Sequence, residues 1–477
     1  MELDQSALSA PLLREDEVES RARFEAAFPE YARTASLDAL RASDFSRLDA
    51  QGHAYLDYTG AGLYADRQIE AHARWLRAHV LGNPHSTNPA SRLATEFVQA
   101  ARARVLAHFS ASPDEYAVVF TQNATAGIKL VAEAYPFGPG GDLLLTYDNH
   151  NSVNGMREFA ATRGARVTYV PLAQPDLRVD GVRLDAALAQ GRDGPRLFAF
   201  PAQSNFTGVR HPLEWVDRAH ARGWDVLLDA AAYASTSALD LSRCRPDFVV
   251  LSFYKMFGYP TGVGALLARR EAAERLARPW YAGGTTIFSS VQRFSGSGTG
   301  HRLLEAPEGF EDGTPNFLAI PAIGFGLDLL NEAGLATIAA RTRALTAWLI
   351  EALGSVRHRT GTPVAEVYGP RDLVDRGANV LFNVLSPTGA RLDATAVQEA
   401  AAAVGISVRS GCHCNPGGCE VALNYAPDAM VGCSAEPVDL GADAPGHLDG
   451  ALRASFGIAS NFADAYRLWR FVAGYCR

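Results

Sequence analysis

Cysteine is scarce in this chain: there are six in 477 residues, far too few for the disulfide framework of a small secreted domain. Lys/Arg runs are absent, and a net charge of −8 gives no basic field to hold a phosphodiester backbone, so no nucleic-acid partner is expected. The acidic stretch from Met1 to Ser20 lacks the cationic start and apolar core of a secretory signal. No apolar run is long and charge-free enough to span a bilayer. These absences lead to the expectation of a cytoplasmic protein without a membrane partner. No internal repeat is evident, and low complexity is confined to the Ser/Gly patch Phe294 to Gly300, which reads as a mobile surface loop.

What is present suits a large globular protein. With 48% hydrophobic and 20% charged residues, the chain can bury one large α/β core and a smaller domain beside it. Residues 1–50 read as an N-terminal helical arm and 51–88 as a leading segment, with helical periodicity from Ile69 to Val80 and a break at Asn83-Pro84-His85-Ser86. Residues 89–335 form the expected large domain. In it, short apolar runs (Ala117 to Phe120, Leu143 to Thr146, Val167 to Val170, Leu197 to Phe200, Val226 to Leu228, Phe248 to Leu251, Gly264 to Leu267) alternate with helical stretches such as Ala124 to Ala134 and Leu213 to Arg222. This alternation predicts a mostly parallel sheet covered on both faces, with ligands at the carboxyl ends of the strands. Residues 336–477 form the expected smaller α+β domain. The helical run Leu335 to Leu353 links the two, Val380 to Val384 and Ile406 to Arg409 read as strands, and Asp464 to Tyr475 reads as a closing helix.

Two of the apolar runs end in opposite charges, at Asp229 and at Lys255. An amine and a carboxylate at one end of a sheet are what pyridoxal 5′-phosphate (PLP) requires: the amine forms the Schiff base, and the carboxylate keeps the pyridine nitrogen protonated so that the ring accepts electrons. A surface ion pair is the alternative. Thr121 to Gly127 joins a strand to a helix, so its N–H groups and the Thr125 hydroxyl can hold a phosphate, or serve as an ordinary cap. His150 can stack on a flat heterocycle or stand in a surface loop.

Taken together, Tyr55-Leu56-Asp57, Asn83-Pro84-His85-Ser86, Asn123-Ala124-Thr125, Leu228-Asp229-Ala230-Ala231, Ser252-Phe253-Tyr254-Lys255-Met256-Phe257-Gly258, Glu311-Asp312-Gly313-Thr314 and Arg409-Ser410-Gly411-Cys412-His413-Cys414-Asn415 resemble the class V aminotransferase family of PLP enzymes. Within it they look most like the cysteine desulfurase-type domain of molybdenum cofactor sulfurases. The resemblance implies the fold type I architecture of PLP-dependent transferases. It makes Lys255 the Schiff-base lysine, Asp229 the partner of the pyridinium nitrogen and His150 the stacking ring. It gives the phosphate to Ala124, Thr125 and Ser252, with Thr314 reaching in from a second subunit of a homodimer, and it sets Asn205 and Tyr254 beside the cofactor. Arg453, assisted by Arg409, matches the arginine that forks onto the substrate carboxylate, with a strand-edge salt bridge as the alternative. His85 joins these substrate-binding residues.

Four cysteines, Cys412, Cys414, Cys419 and Cys433, crowd one segment. In a desulfurase a mobile thiolate attacks the sulfur of L-cysteine, keeps it as a persulfide and leaves alanine. The resemblance assigns that nucleophile to Cys414, with His413 placed to help ionise a neighbour and Cys412 and Cys419 as relay or resolving thiols. The competing reading is a zinc site; no metal is expected. Iron–sulfur-type desulfurases carry Gln and His where this chain has Ala232 and Tyr254, and molybdenum cofactor sulfurases tolerate such residues. The larger sulfurases also continue into a cofactor-binding domain beyond the point where this chain ends, which leaves open whether the sulfur acceptor is a molybdenum cofactor or a small molecule. A PLP-dependent C–S or β-lyase or aminotransferase of specialised metabolism is the alternative function, and a scaffold that has lost activity is the third.

Overall fold

Strands buried on both faces read as near-continuous apolar runs, and six such runs with one half-exposed edge strand form the central sheet of the computed structural model. It describes residues 16–291, 300–425 and 450–477. The strands are β1 (Tyr116–Thr121), β2 (Asp142–Thr146), β3 (Arg166–Val170), β4 (Arg196–Pro201), β5 (Asp225–Asp229), β6 (Phe248–Ser252) and β7 (Gly264–Arg269). Each contains one of the predicted strands. Their order across the sheet is β1-β7-β6-β5-β4-β2-β3, and β7 alone runs antiparallel to its neighbours. The chain leaves β2 toward one edge and later builds from β4 toward the other. The carboxyl ends on either side of that reversal open a crevice for a ligand.

The helix Ala124–Ala134 lies on the sheet where predicted. Between Leu213 and Arg222 only Trp215–His220 is regular helix. The expected strand Ile406 to Arg409 shortens to Ile406–Ser407, because Arg409 leaves it to bridge the backbone of Arg453.

The C-terminal part forms a separate three-stranded antiparallel sheet, Ala365–Tyr368, Asn379–Val384 and Leu452–Ser455. Its core includes Leu345 and Leu349 of the helix Leu335–Ser355 and Leu468 of the helix Phe462–Ala473. The leading segment joins this part, since Ala54–Tyr55 pairs parallel with Ile406–Ser407. The arm from residue 16 onward is shared: Phe24 and Tyr31 enter this core, whereas Leu37, Leu40, Phe45 and Leu48 enter the core of the central sheet. Phe24 stacks on Phe462 at 4.7 Å, and the buried Arg41 donates to Asp464 at 2.5 Å. No single helix among the described residues is long and apolar enough to cross a membrane. The first fifteen residues of the arm, the Ser/Gly patch up to Gly300 and Cys433 lie outside the described residues.

Candidate active site

Asp229 closes β5, and Lys255 follows β6 in the short helix Phe253–Phe257. The strands are parallel neighbours, so both side chains emerge at one end of the sheet and line one cavity. Burial pushes the Lys255 amine below its ordinary pKa, and Asp229 opposes that push. Among the described residues Lys255 Nζ makes no hydrogen bond.

Around this pair the cavity is polar in an ordered way. His150 caps the turn Asn151–Asn154: its Nδ1 accepts the Ser152 N–H at 3.1 Å, which leaves the proton of the neutral ring on Nε2. Burial, and then the charge of Lys255, lower its pKa, so the wall it contributes is a neutral flat ring. At the other side stands the N-terminus of the helix Ala124–Ala134. Asn123 Oδ1 accepts from the Ala126 N–H at 3.0 Å, Ser252 Oγ accepts from the Ala124 N–H at 2.9 Å, and the Thr125 and Ser152 hydroxyls meet at 2.8 Å. The Thr125 N–H has no partner among the described residues. Gly264, the first residue of β7, makes this approach possible: a Cβ there would lie 2.5 Å from Asn123 Cα and 2.6 Å from the Leu251 carbonyl. A free N–H at a helix N-terminus, with the Thr125 and Ser252 hydroxyls beside it, suits a phosphate. An amine, an opposed carboxylate, a neutral ring and an anion cradle around one cavity are the donor set that PLP needs, so the residues present fit that group.

Asn205 also lines the cavity and ties it to the cysteine loop. Its side chain donates to the His413 carbonyl at 2.8 Å and accepts from Asn415 Nδ2 at 2.9 Å. The Cys414 carbonyl accepts the Asn151 N–H at 2.7 Å, beside His150. His413 and Cys414 both have positive φ, +53° and +54°, a left-handed turn that costs roughly 1–2 kcal/mol per residue and is held by these bonds. Cys414 is a free, exposed thiol, while Cys412 and Cys419 form a disulfide with Cα atoms 5.3 Å apart. That bond closes the loop around Cys414 and takes both flanking thiols out of the relay role in this state. His413 is not turned to ionising a neighbour. Its Nε2 meets the Ala451 carbonyl at 3.1 Å, Nδ1 is buried without a partner, and burial lowers its pKa well below the usual histidine range. Among the described residues no three His, Cys, Asp or Glu side chains gather as a metal site.

Arg453 is buried. Its Nη1 donates to the Asn205 carbonyl and its Nη2 to Asp57 Oδ1, both at 2.8 Å, and Nε is left without a partner. Arg409 reaches the other Asp57 oxygen, at 2.7 Å from Nη2. The Arg453 bond to Asn205 ties the pair to a residue that lines the cavity. Asp57 carries no role in the family pattern of Tyr55-Leu56-Asp57; the signal for one in the sequence is the glycine-containing turn that follows it.

Arg453 and Cys414 do not line the cavity of Asp229 and Lys255, and Arg409 lines a separate one with Tyr55 and Asp57; two further expected residues stand elsewhere. His85 is exposed in the loop before the helix Pro89–His108, outside the cavity. Thr314 lines a separate cavity on the outer flank of the Ala124–Ala134 helix, with Gln122 and Lys129. It is fixed there by the neighbouring Glu311, which takes a buried two-pronged bond from Arg102 at 2.7 and 2.6 Å and accepts the Phe120 N–H of β1 at 2.6 Å. Tyr254 and Ala232 both line the main cavity.

Comparison with known proteins identifies the family and the fold. The chain is 38% identical over 466 residues to the molybdenum cofactor sulfurase of Bos taurus and 36% identical over 466 residues to that of Homo sapiens; each match covers 92% of this chain and 51% of the relative. The chain thus spans about half the length of these curated relatives. Among solved structures, an apo cysteine desulfurase from Thermococcus onnurineus NA1 superposes with a TM-score of 0.75 at 24% identity, covering 90% of this chain and 96% of that one, which shows the fold. The aminotransferase class-V family model matches residues 54–468, and the chain belongs to that family.

Proposed function

We propose that this protein is a PLP-dependent L-cysteine desulfurase that stores sulfur on Cys414 and passes it to an acceptor. The observation that carries the reading is the Asp229–Lys255 pair at the strand ends of one cavity, together with an exposed thiol on a loop that is bonded to Asn205 of that cavity's wall and to Asn151. The relatives named as molybdenum cofactor sulfurases support it.

In this reading Asn123, Ala124, Thr125 and Ser252 hold the phosphate, Asp229 faces the pyridine nitrogen and His150 covers the ring. When bound, PLP supplies an electron sink that weakens the bonds about the α and β carbons of an amino acid. Arg453 and Arg409 orient the substrate through its carboxylate. Lys255 Nζ, whose hold on its proton burial weakens, takes and returns a proton at the substrate. The Cys414 thiolate attacks the substrate sulfur; an S–S bond forms, the C–S bond breaks, and its electron pair stays with the carbon skeleton, which takes up a proton and leaves as alanine.

A homodimer belongs to the proposal. Thr314 stands on the outer flank of the phosphate helix, and Trp280, Tyr281, Ile287 and Phe288 are exposed on the chain shortly before it, a surface suited to a second copy whose Thr314 completes the phosphate site. The acceptor is a molybdenum cofactor or a small molecule.

The test is incubation of PLP-loaded protein with L-cysteine and a thiol acceptor. Equal amounts of alanine and sulfide are expected, with one added sulfur atom on Cys414 by mass spectrometry and none in Cys414→Ser. Pyruvate in place of alanine overturns the reading in favour of a C–S lyase.

A further inference from the structure

Arg409 and Arg453 are backbone partners: the Arg453 N–H donates to the Arg409 carbonyl at 2.7 Å and the Arg409 N–H returns to Arg453 at 3.2 Å. Like charges set directly opposite each other repel, and two unopposed guanidinium groups would splay apart. Asp57 stands between them. Its Oδ1 accepts from Arg453 Nη2 at 2.8 Å, and its Oδ2 accepts from Arg409 Nε at 3.0 Å and lies 2.7 Å from Arg409 Nη2. The carboxylate belongs to a built turn. The Asp57 carbonyl accepts the N–H groups of Gly60 and Ala61 at 2.9 and 3.1 Å, and the Thr59 N–H donates to Ser455 Oγ at 2.9 Å, two residues along from Arg453. Gly60 is required by that carboxylate, because a Cβ there would lie 2.4 Å from Asp57 Oδ2 and 2.7 Å from Oδ1.

The arginine fork is therefore held from two sides, by the Asn205 carbonyl and by Asp57, while the buried Arg453 Nε remains as an unpaired donor. Two arginines and one aspartate leave one net positive charge, the complement of one carboxylate. We propose that Asp57 is the positioning residue of the substrate-carboxylate site: it sets the angle of Arg453, gathers Arg409 onto the same point, and tunes the pair to an amino acid bearing a single carboxylate. This rests on the reading of Arg453 as the substrate-carboxylate residue, which is a separate claim.

The two are separated by comparing L-cysteine with L-cysteine methyl ester on the PLP-loaded full chain, together with equilibrium titration by L-alanine followed through the visible spectrum. In Asp57→Asn the KM for L-cysteine should rise about tenfold while kcat stays within about threefold, as expected for the loss of one charge-assisted contact. The preference for the acid over the ester should fall by a similar factor, and L-alanine should bind correspondingly weaker. Gly60→Ala keeps every charge but pushes the carboxylate aside, and should move the same readouts in the same direction; it serves also if Asp57→Asn does not fold. Arg453→Ala is the reference. If it leaves the acid-over-ester preference intact, the assignment of Arg453 fails. If it abolishes the preference while the Asp57 and Gly60 variants that fold retain it, Asp57 is a structural ion pair only and the inference is overturned.

Discussion

Burial sets the protonation of the histidines beside the cavity. His413 is held neutral in the fold, well below its ordinary pKa, whereas in the unfolded chain it titrates near about 6.5. The unfolded state thus binds more protons once the pH falls below that value. Folding stability is full above it and declines as the pH drops toward the depressed folded value. A series of thermal melts between neutral and mildly acid pH should show this fall, and His413→Gln should flatten it. At Lys255 the prediction is spectroscopic: Lys255→Ala should lose both alanine formation and the visible band of the PLP-loaded protein, while Cys414→Ser keeps the band and loses only sulfur transfer. The identities of Lys255, Asp229 and Cys414 as candidates were legible in the sequence because strand ends and a glycine-rich thiol loop mark positions, not contacts. The orientation of His413 was not legible, since a ring nitrogen's partner is chosen by the fold around it.

Among the elements, the start of the Ala124–Ala134 helix depends on how closely its Asn123 backbone approaches β7. Gly264→Ala should force the two apart, with a destabilisation of about 1–3 kcal/mol from overpacking and weaker retention of PLP. Melting temperature and the cofactor content after dialysis read the two effects separately. This helix and the sheet strands were readable from periodicity: six of the strands are buried on both faces and leave near-continuous apolar runs, and the half-exposed edge strand β3 still keeps its short apolar run. The strand expected from Ile406 to Arg409 was overlong, because a long-range bridge between Arg409 and Arg453 draws the chain out of its local course, and apolar spacing carries no record of such a contact.

For the molecule as a whole, the arm packs into both cores and is not a loose extension over its described residues. Arg41, buried, joins Asp464 at the start of the closing helix and the Ala459 carbonyl. Arg41→Ala leaves that carboxylate buried without its cation, and a loss of about 3–5 kcal/mol is expected in chemical denaturation, with the visible band of the remaining folded, PLP-loaded protein unchanged. The proposed dimer has its own test: mixing Thr314→Ala with Lys255→Ala protomers should restore one site with both residues intact, giving activity above either variant alone. By itself, the sequence determined the order of strands and helices, the charged strand ends and the thiol loop, because these follow from local periodicity and from a few residue types with narrow chemistry. Only the tertiary structure decided that Asp57 stands between two arginines, that Cys412 and Cys419 pair around Cys414, and that Thr314 lines a cavity other than that of Asp229 and Lys255. Those relations join residues hundreds of positions apart or depend on the direction of a side chain, and packing alone fixes both.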